Sequence, residues 1–177
     1  YSGDGYKTPM GILNVDKEKA NKLESESNTI KFSEEGHKNE HSLEVQLPFI
    51  QSALGNVPIV PIVIGNQNKK NSSALGEAIS NLFSRENILI VSSTDLSHYH
   101  PYNAAVSLDE KVKKLIEDYD VDNLAKEFFG KTLEMCGGGP VVSAMLAAKG
   151  LGAKNSKVID YKNSGDVIAD KSAVVGY

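Results

Sequence analysis

Residues 88–91, Ile-Leu-Ile-Val, are apolar without a break, and the polar run Ser92, Ser93, Thr94, Asp95 follows at once. An unbroken apolar strand is one covered on both faces, as in the interior of a parallel sheet, whereas a strand with one wet face alternates. Open sheets of that kind keep their chemistry just past the carboxyl ends of the strands. An acid and a histidine three residues apart, Asp95 and His98, stand at that place.

The rest of the chain repeats the pattern. Residues 58–65 read as a second buried strand, in which Pro61 marks a bulge or an unpaired edge. Asn71 or Ser72 is placed to cap a helix with the stripe Leu75, Ile79, Leu82 and Phe83, which leads into residues 88–91. Strand, helix, strand is the parallel crossover unit. Upstream, residues 10–15 read as a short strand and residues 16–39 as charged surface helix and loop, or partly disordered. Leu43, Leu47, Ile50 and Leu54 recur at helical spacing from Ser42, and Pro48 is expected to kink that helix because it lacks a donor for the carbonyl of Glu44. Downstream, Val112, Leu115, Ile116 and Tyr119 mark one helix, and Val121, Leu124, Ala125 and Phe128 a shorter one ended by Gly130. Pro140 opens a helix over residues 141–149 that Gly150 stops, and residues 158–161 and 172–177 close the chain as strands. These 177 residues suffice for one α/β domain with a mainly parallel sheet flanked by helices.

Composition narrows the function. A hydrophobic fraction of 40% with 24% charged residues is that of a soluble globular domain. The net charge of -4 argues against a nucleic-acid or anionic-membrane partner, since phosphate binding needs a concentrated basic surface. The densest basic cluster, Lys111, Lys113 and Lys114, has acidic neighbours and reads as a solvated helix face. Cys136 is the single cysteine and forms no internal disulfide, which fits a reducing, cytoplasmic location. The longest apolar stretch, residues 57–64, is broken by Pro58 and Pro61 and is far short of a membrane span. The chain opens on Tyr1 with no start-like feature, and a fragment is expected.

Few residues are left to carry chemistry. The three-residue spacing lets Asp95 reach an imidazole nitrogen of His98 and fix its tautomer, which suits a general base or a metal ligand; a turn cap and a satisfied rim histidine are the plainer reading. His100 precedes Pro101 on extended backbone. Cys136 stands beside Gly137, Gly138 and Gly139 ahead of a helix, a setting for a nucleophile or a soft-metal ligand, or for a small apolar side chain in a turn. His41 sits among Glu40 and Glu44, either as a ligand or substrate-orienting group or, the plainer reading, as a surface partner of Glu44. Met135 and Met145 read as packing residues.

These segments resemble the Memo-like family, found in prokaryotes as protein B of the AmmeMemoRadiSam system. The resemblance is carried by residues 40–49 (EHSLEVQLPF), 92–99 (SSTDLSHY), Cys136 with Gly137, residues 161–166 (YKNSGD) and residues 174–177 (VVGY), with residues 6–11 similar to the family's TPLG segment. It implies a three-layer fold like that of the class III extradiol dioxygenases, which use non-haem Fe(II) to cleave aromatic diols. It further implies Cys136 as a metal ligand, His98 as the catalytic acid/base and Asp95 as its helper; His41 and Glu40 are read from their own segment as substrate-binding. Iron or copper and redox chemistry on a small-molecule substrate follow from the same resemblance. The family's PHAGY and GPSHH-like motifs, which supply its other metal histidines, do not occur in this sequence. The resemblance therefore implies the C-terminal part of such a protein, with an incomplete site, metal weakly held or absent, and a missing strand whose free edge favours self-association. Two other readings stay open on residue types. One is a cysteine hydrolase with Cys136 as nucleophile, His98 as base and Asp95 as orienter; the other is a non-catalytic module that binds a peptide or ligand.

Overall fold

A computed structural model describes residues 1–177 as a mixed α/β chain. Strands β1 (Gly5–Thr8) and β2 (Gly11–Asn14) form an antiparallel hairpin. Its turn uses Gly11 at a φ of 121°, a conformation that a side chain would strain. Helix α1 (Lys17–Glu26) follows, started by the Asp16 carboxylate, which accepts the Lys19 N–H at 3.0 Å. Leu23 of α1 is buried, so part of the charged stretch is an ordered amphipathic helix. After a single turn, α2 (Glu35–Lys38), comes α3 (Leu47–Leu54). The expected helix from Ser42 with a kink at Pro48 does not form. The chain turns through residues 42–46, and Pro48 lies in the first turn of α3, where a helix requires no donor from it.

Helix α4 (Lys69–Leu82) is capped by Asn68, whose side chain accepts the Asn71 N–H at 2.9 Å; the cap thus falls three residues before Asn71. Strand β3 (His98–His100) leads into α5 (Tyr102–Glu117), and α6 (Val121–Phe129) ends at Gly130 as its stripe requires. Helix α7 (Gly138–Gly150) begins before Pro140, again leaving proline in a first turn. A 3₁₀ turn at Ser164–Asp166 and strand β4 (Val174–Val175), antiparallel to β3, complete the chain.

Helices α4 and α7 pack closely because small residues meet where they cross. A Cβ on Gly76 would stand 2.8 Å from Leu146 Cβ, and the Ser143 hydroxyl donates to the Ser72 carbonyl at 3.0 Å. One core gathers Leu23, Leu75, Ala78, Ile79, Phe83 and Ala147 around this contact, with Val60, Ile64, Ile88 and Ile90 packed on it. A second core, Leu96, Val112, Leu124, Leu133, Met135, Val141 and Val142, lies under the turn at residues 95–98. Complete burial of a side chain such as Leu124 stabilises by about 1.5–3 kcal/mol.

Strand pairing departs from the expected parallel sheet. Within this chain it amounts to two two-stranded antiparallel sheets and two isolated bridges, Val15 to Ile59 parallel and Asn163 to Gly176 antiparallel. Residues 88–93 and 154–160 make no main-chain hydrogen bond, and residues 158–161 are not a strand. Ile88 and Ile90 pack on the first core while Leu89, Val91 and Ile159 stay exposed, and a strand also requires a neighbour to pair with, which these residues lack within the chain. No helix is long and apolar enough to cross a membrane.

Candidate functional site

Leu96 anchors the turn after residues 88–95 by burying its side chain in the second core. Its N–H donates to the Gly176 carbonyl at 2.9 Å, and the Gly176 N–H returns to Ser97 at 3.0 Å, so the chain's last residues clamp the turn. Asp109 of α5 holds it from beneath. That carboxylate is fully buried and accepts the Ser97 N–H at 2.9 Å and the Tyr161 hydroxyl at 2.7 Å. Burial, then the Asp109 bond, pushes the Tyr161 phenol up to about 12.

On this clamped turn His98 bonds through Nδ1 to the Leu96 carbonyl at 2.9 Å. A carbonyl only accepts, so Nδ1 carries the proton and Nε2 is the free nitrogen of the neutral ring. Asp95 Oδ2 lies 3.8 Å from Nε2, too far for a hydrogen bond. The tautomer is therefore set by the Leu96 main chain and not, as the spacing suggested, by Asp95. A carbonyl two residues before a histidine within one turn is always near at hand, whereas the Asp95 side chain, about half exposed, has solvent to compete for it.

Cys136 is laced to the same segment. The Asp95 N–H donates to Sγ at 3.0 Å, and the Cys136 N–H donates to the Asp95 carbonyl at 3.1 Å. Thr94 Oγ1 accepts the Gly137 N–H at 2.8 Å and lies 3.8 Å from Sγ. The exposed thiol thus sits beside the acid and histidine turn. Sγ makes no hydrogen bond to His98.

His41 and Glu40 stand apart from this wall. The His41 ring is 84% exposed and meets Glu44 at 3.4 Å, while Glu40 accepts the Ser42 N–H at 2.8 Å, which holds its carboxyl below the usual range. Neither makes a hydrogen bond or ion pair with Asp95, His98 or Cys136. Their segment reaches the site through Gln46 instead, which donates to Ser93 Oγ at 3.1 Å. Gln67 is a further residue that sequence reasoning passed over. It donates to the Cys136 carbonyl at 2.8 Å and accepts the Gly139 N–H at 2.9 Å, bracing the start of α7. The signal existed: Gln67 follows the apolar residues 57–64 as Asp95 follows 88–91. His100 pairs with Glu134 at 2.9 Å and so ties β3 to the loop that carries Cys136.

The model of the Memo-like protein family matches residues 1–177. The chain belongs to the Memo-like family. It is 37% identical to a MEMO1 family protein of Methanosarcina barkeri, over 99% of this chain and 67% of that protein. Others of the same name, from Nitrosopumilus maritimus and Methanobrevibacter smithii, are 35% and 37% identical over 97% and 96% of this chain. The chain spans 61–67% of these relatives' lengths.

Within this Memo-like chain no three His, Cys, Asp or Glu side chains converge as a metal-binding group. The donors present fit one position of a metal site, with Cys136 as the exposed soft ligand, and not a whole one. Between His98 and His100 the strand is bulged, and Tyr99 takes a left-handed φ of 61° that turns its ring 76% into solvent, edge-on to His98 at 5.6 Å. A β-branched residue is strained further in that conformation. Tyr99→Val is expected to lower stability by about 1–2 kcal/mol, and Tyr99→Gly to leave it close to the wild-type value. Urea unfolding of the two variants checks this, and equal losses would count against backbone strain at Tyr99.

Proposed function

We propose that this chain carries the proton-handling wall and one metal-ligand position of a dioxygenase-related, non-haem metal-binding redox protein of the cytoplasm, acting on a small-molecule substrate. The frame proposed for it is the three-layer, mainly parallel sheet of the class III extradiol dioxygenases. The supporting observation is the lacing of Cys136 to Asp95 beside a His98 whose tautomer leaves Nε2 free. In this reading Nε2 takes a proton from a substrate hydroxyl, and the Asp95 carboxylate at 3.8 Å stabilises the resulting imidazolium. Cys136 would hold the ion, and iron or copper, when bound, would supply the redox capacity. His41 and Glu40 are assigned to the substrate side, on the segment that Gln46 ties to Ser93.

The hydrolase reading requires Cys136 to give its proton to His98. Sγ instead takes the Asp95 N–H, and Asp95 lies on the Nε2 side of the ring, away from the orienting position that a triad needs. Metal analysis separates the readings. After anaerobic incubation with Fe(II), or incubation with Cu(II), and desalting, the chain is expected to retain well under one ion, and Cys136→Ser to retain none. Full retention that survives Cys136→Ser would sink the assignment. Iodoacetamide should alkylate Cys136 at a rate indifferent to His98→Ala; a large drop in that variant would favour the hydrolase.

A further inference from the structure

Leu96 and Ser97 share one peptide unit, and its two poles are taken by two different groups. The Ser97 N–H donates to Oδ1 of the buried Asp109 at 2.9 Å, and the Leu96 carbonyl accepts the Nδ1–H of His98 at 2.9 Å. In a trans peptide these poles point in opposite directions, so Asp109 and His98 lie at opposite ends of a single amide dipole. That dipole has no freedom to turn away. The Leu96 N–H donates to the Gly176 carbonyl at 2.9 Å, and the Ser97 carbonyl accepts the Gly176 N–H at 3.0 Å, which pins the peptides on either side.

The Asp109 end of this arrangement carries a charge that no cation touches. Its other oxygen accepts the Tyr161 hydroxyl at 2.7 Å, while Lys113, one turn along α5, pairs with Glu110 at 2.7 Å and lies over the Tyr161 ring. Gly176 closes over the carboxylate so tightly that a side chain there would collide with Oδ2. A dry anion held by dipoles alone polarises them. Hydrogen bonds to an ionised acceptor are about twice as strong as neutral ones, and bonds in series reinforce one another by about 10–30% each. The carboxylate draws the Ser97 proton and so loads charge onto the Leu96 oxygen that His98 faces.

We infer that Asp109 is a positioning residue for His98 that acts through the Leu96–Ser97 peptide: a buried carboxylate, a polarised amide and an imidazole in series. This role rests on the reading of His98 as the acid/base and names what tunes it. As Nε2 takes a proton, the Nδ1–H becomes a stronger donor, and its bond to a charge-loaded carbonyl gains more than a bond to an ordinary one. The arrangement therefore favours the imidazolium. A carboxylate bonded directly to a ring nitrogen orients and activates histidine in the same way; the peptide standing between keeps this anion dry. Asp95 acts from the other side of the ring, at Nε2, where solvent screens it.

Asp109→Asn separates charge from shape, because the amide keeps both bonds and removes the charge. In the unmutated chain, proton–nitrogen NMR should place the Ser97 amide proton and the His98 Nδ1 proton downfield of protons in neutral bonds of the same kind. Both should move upfield in Asp109→Asn. Diethylpyrocarbonate attacks neutral imidazole at its free nitrogen, and at a pH where the ring is neutral it should modify His98 about two- to fivefold more slowly in that variant, read by peptide mass. Val112→Ala, on the same helix and in the second core, is the structural control: its urea midpoint should fall while both proton positions and the modification rate hold. The proposal is overturned if the two protons of the unmutated chain resonate at ordinary positions, if Asp109→Asn leaves the Nδ1 proton and the rate unchanged, or if Val112→Ala moves them equally. None of these readouts requires metal or substrate, so a failure of metal retention at Cys136 would leave them standing, and their own failure would leave the metal assignment standing.

Discussion

Asp109→Ala is expected to cost the fold roughly 3–5 kcal/mol, the largest effect of any single change proposed for this chain. The carboxylate is wholly buried, and its two oxygens accept the Ser97 N–H at 2.9 Å and the Tyr161 hydroxyl at 2.7 Å. Truncation leaves the buried Ser97 N–H without its partner, at about 1–3 kcal/mol, takes the Asp109 bond from the half-buried Tyr161 hydroxyl, and leaves a cavity where the carboxylate was. Asp109→Asn should recover much of this, because its amide oxygen accepts from Ser97 while its NH₂ donates to the Tyr161 oxygen. Urea midpoints measure the stability. Ultraviolet titration of Tyr161 gives a second readout. Its phenol is held up to about 12, first by burial and then by Asp109, so it should ionise at lower pH in the alanine variant. The sign follows from the raised value. Stabilisation from the neutral phenol is complete below the ordinary tyrosine pKa of about 10 and is lost as pH climbs through about 12. A variant with an unchanged urea midpoint and an unchanged Tyr161 titration would refute the clamp.

Gly137→Ala is expected to pry the cysteine loop away from the functional turn. A Cβ there would lie 2.3 Å from the Ser93 carbonyl oxygen, 2.9 Å from Thr94 Cβ and 3.1 Å from Thr94 Cα. Main-chain atoms cannot swing aside as a flexible side chain can, so the helix start or the segment at 93–95 has to shift. Overpacking of this kind costs about 1–3 kcal/mol and sometimes more. The shift also breaks the Gly137 bond to Thr94 and, with it, the placement of Sγ under the Asp95 N–H. Stability should fall, and exchange at the Asp95 amide should rise markedly. Gly65→Ala is the control, since its added methyl meets open space. Equal behaviour of the two variants would mean that close approach at Gly137 is not what seats the cysteine.

Local signals located much of this molecule. The stripes of α4, α5 and α6 were legible because side chains three and four apart share a helix face whatever the chain does elsewhere. The end of α6 at Gly130 was legible for a similarly local reason. Asp95 and His98 were found by their place after an apolar run. The join of Cys136 to that turn was implied by family resemblance, and it spans 41 residues of sequence. Pro48 shows the opposite case. The same ring that breaks a helix interior is welcome in a first turn, and only the helix start at Leu47 decides which applies. Gln46, Gln67 and Asp109 escaped notice because an amide or a buried acid reveals its role only through a partner far along the chain, as the 72-residue link from Gln67 to Gly139 illustrates.

By itself, the sequence determined which stretches are apolar, where α4, α5 and α6 run, and that an acid, a histidine and a thiol are the residues available for chemistry. Periodicity and residue type are properties of neighbouring positions, so they are readable without a fold. The tertiary structure decided which nitrogen of His98 is free, that Gln46 rather than His41 touches the site, and that residues 88–93 lie packed on one face and unpaired along their main chain. Each of these depends on where a carbonyl, a carboxylate or a neighbouring strand sits in space. Hydrogen bonds are satisfied by proximity in three dimensions, and no spacing along the chain specifies that proximity.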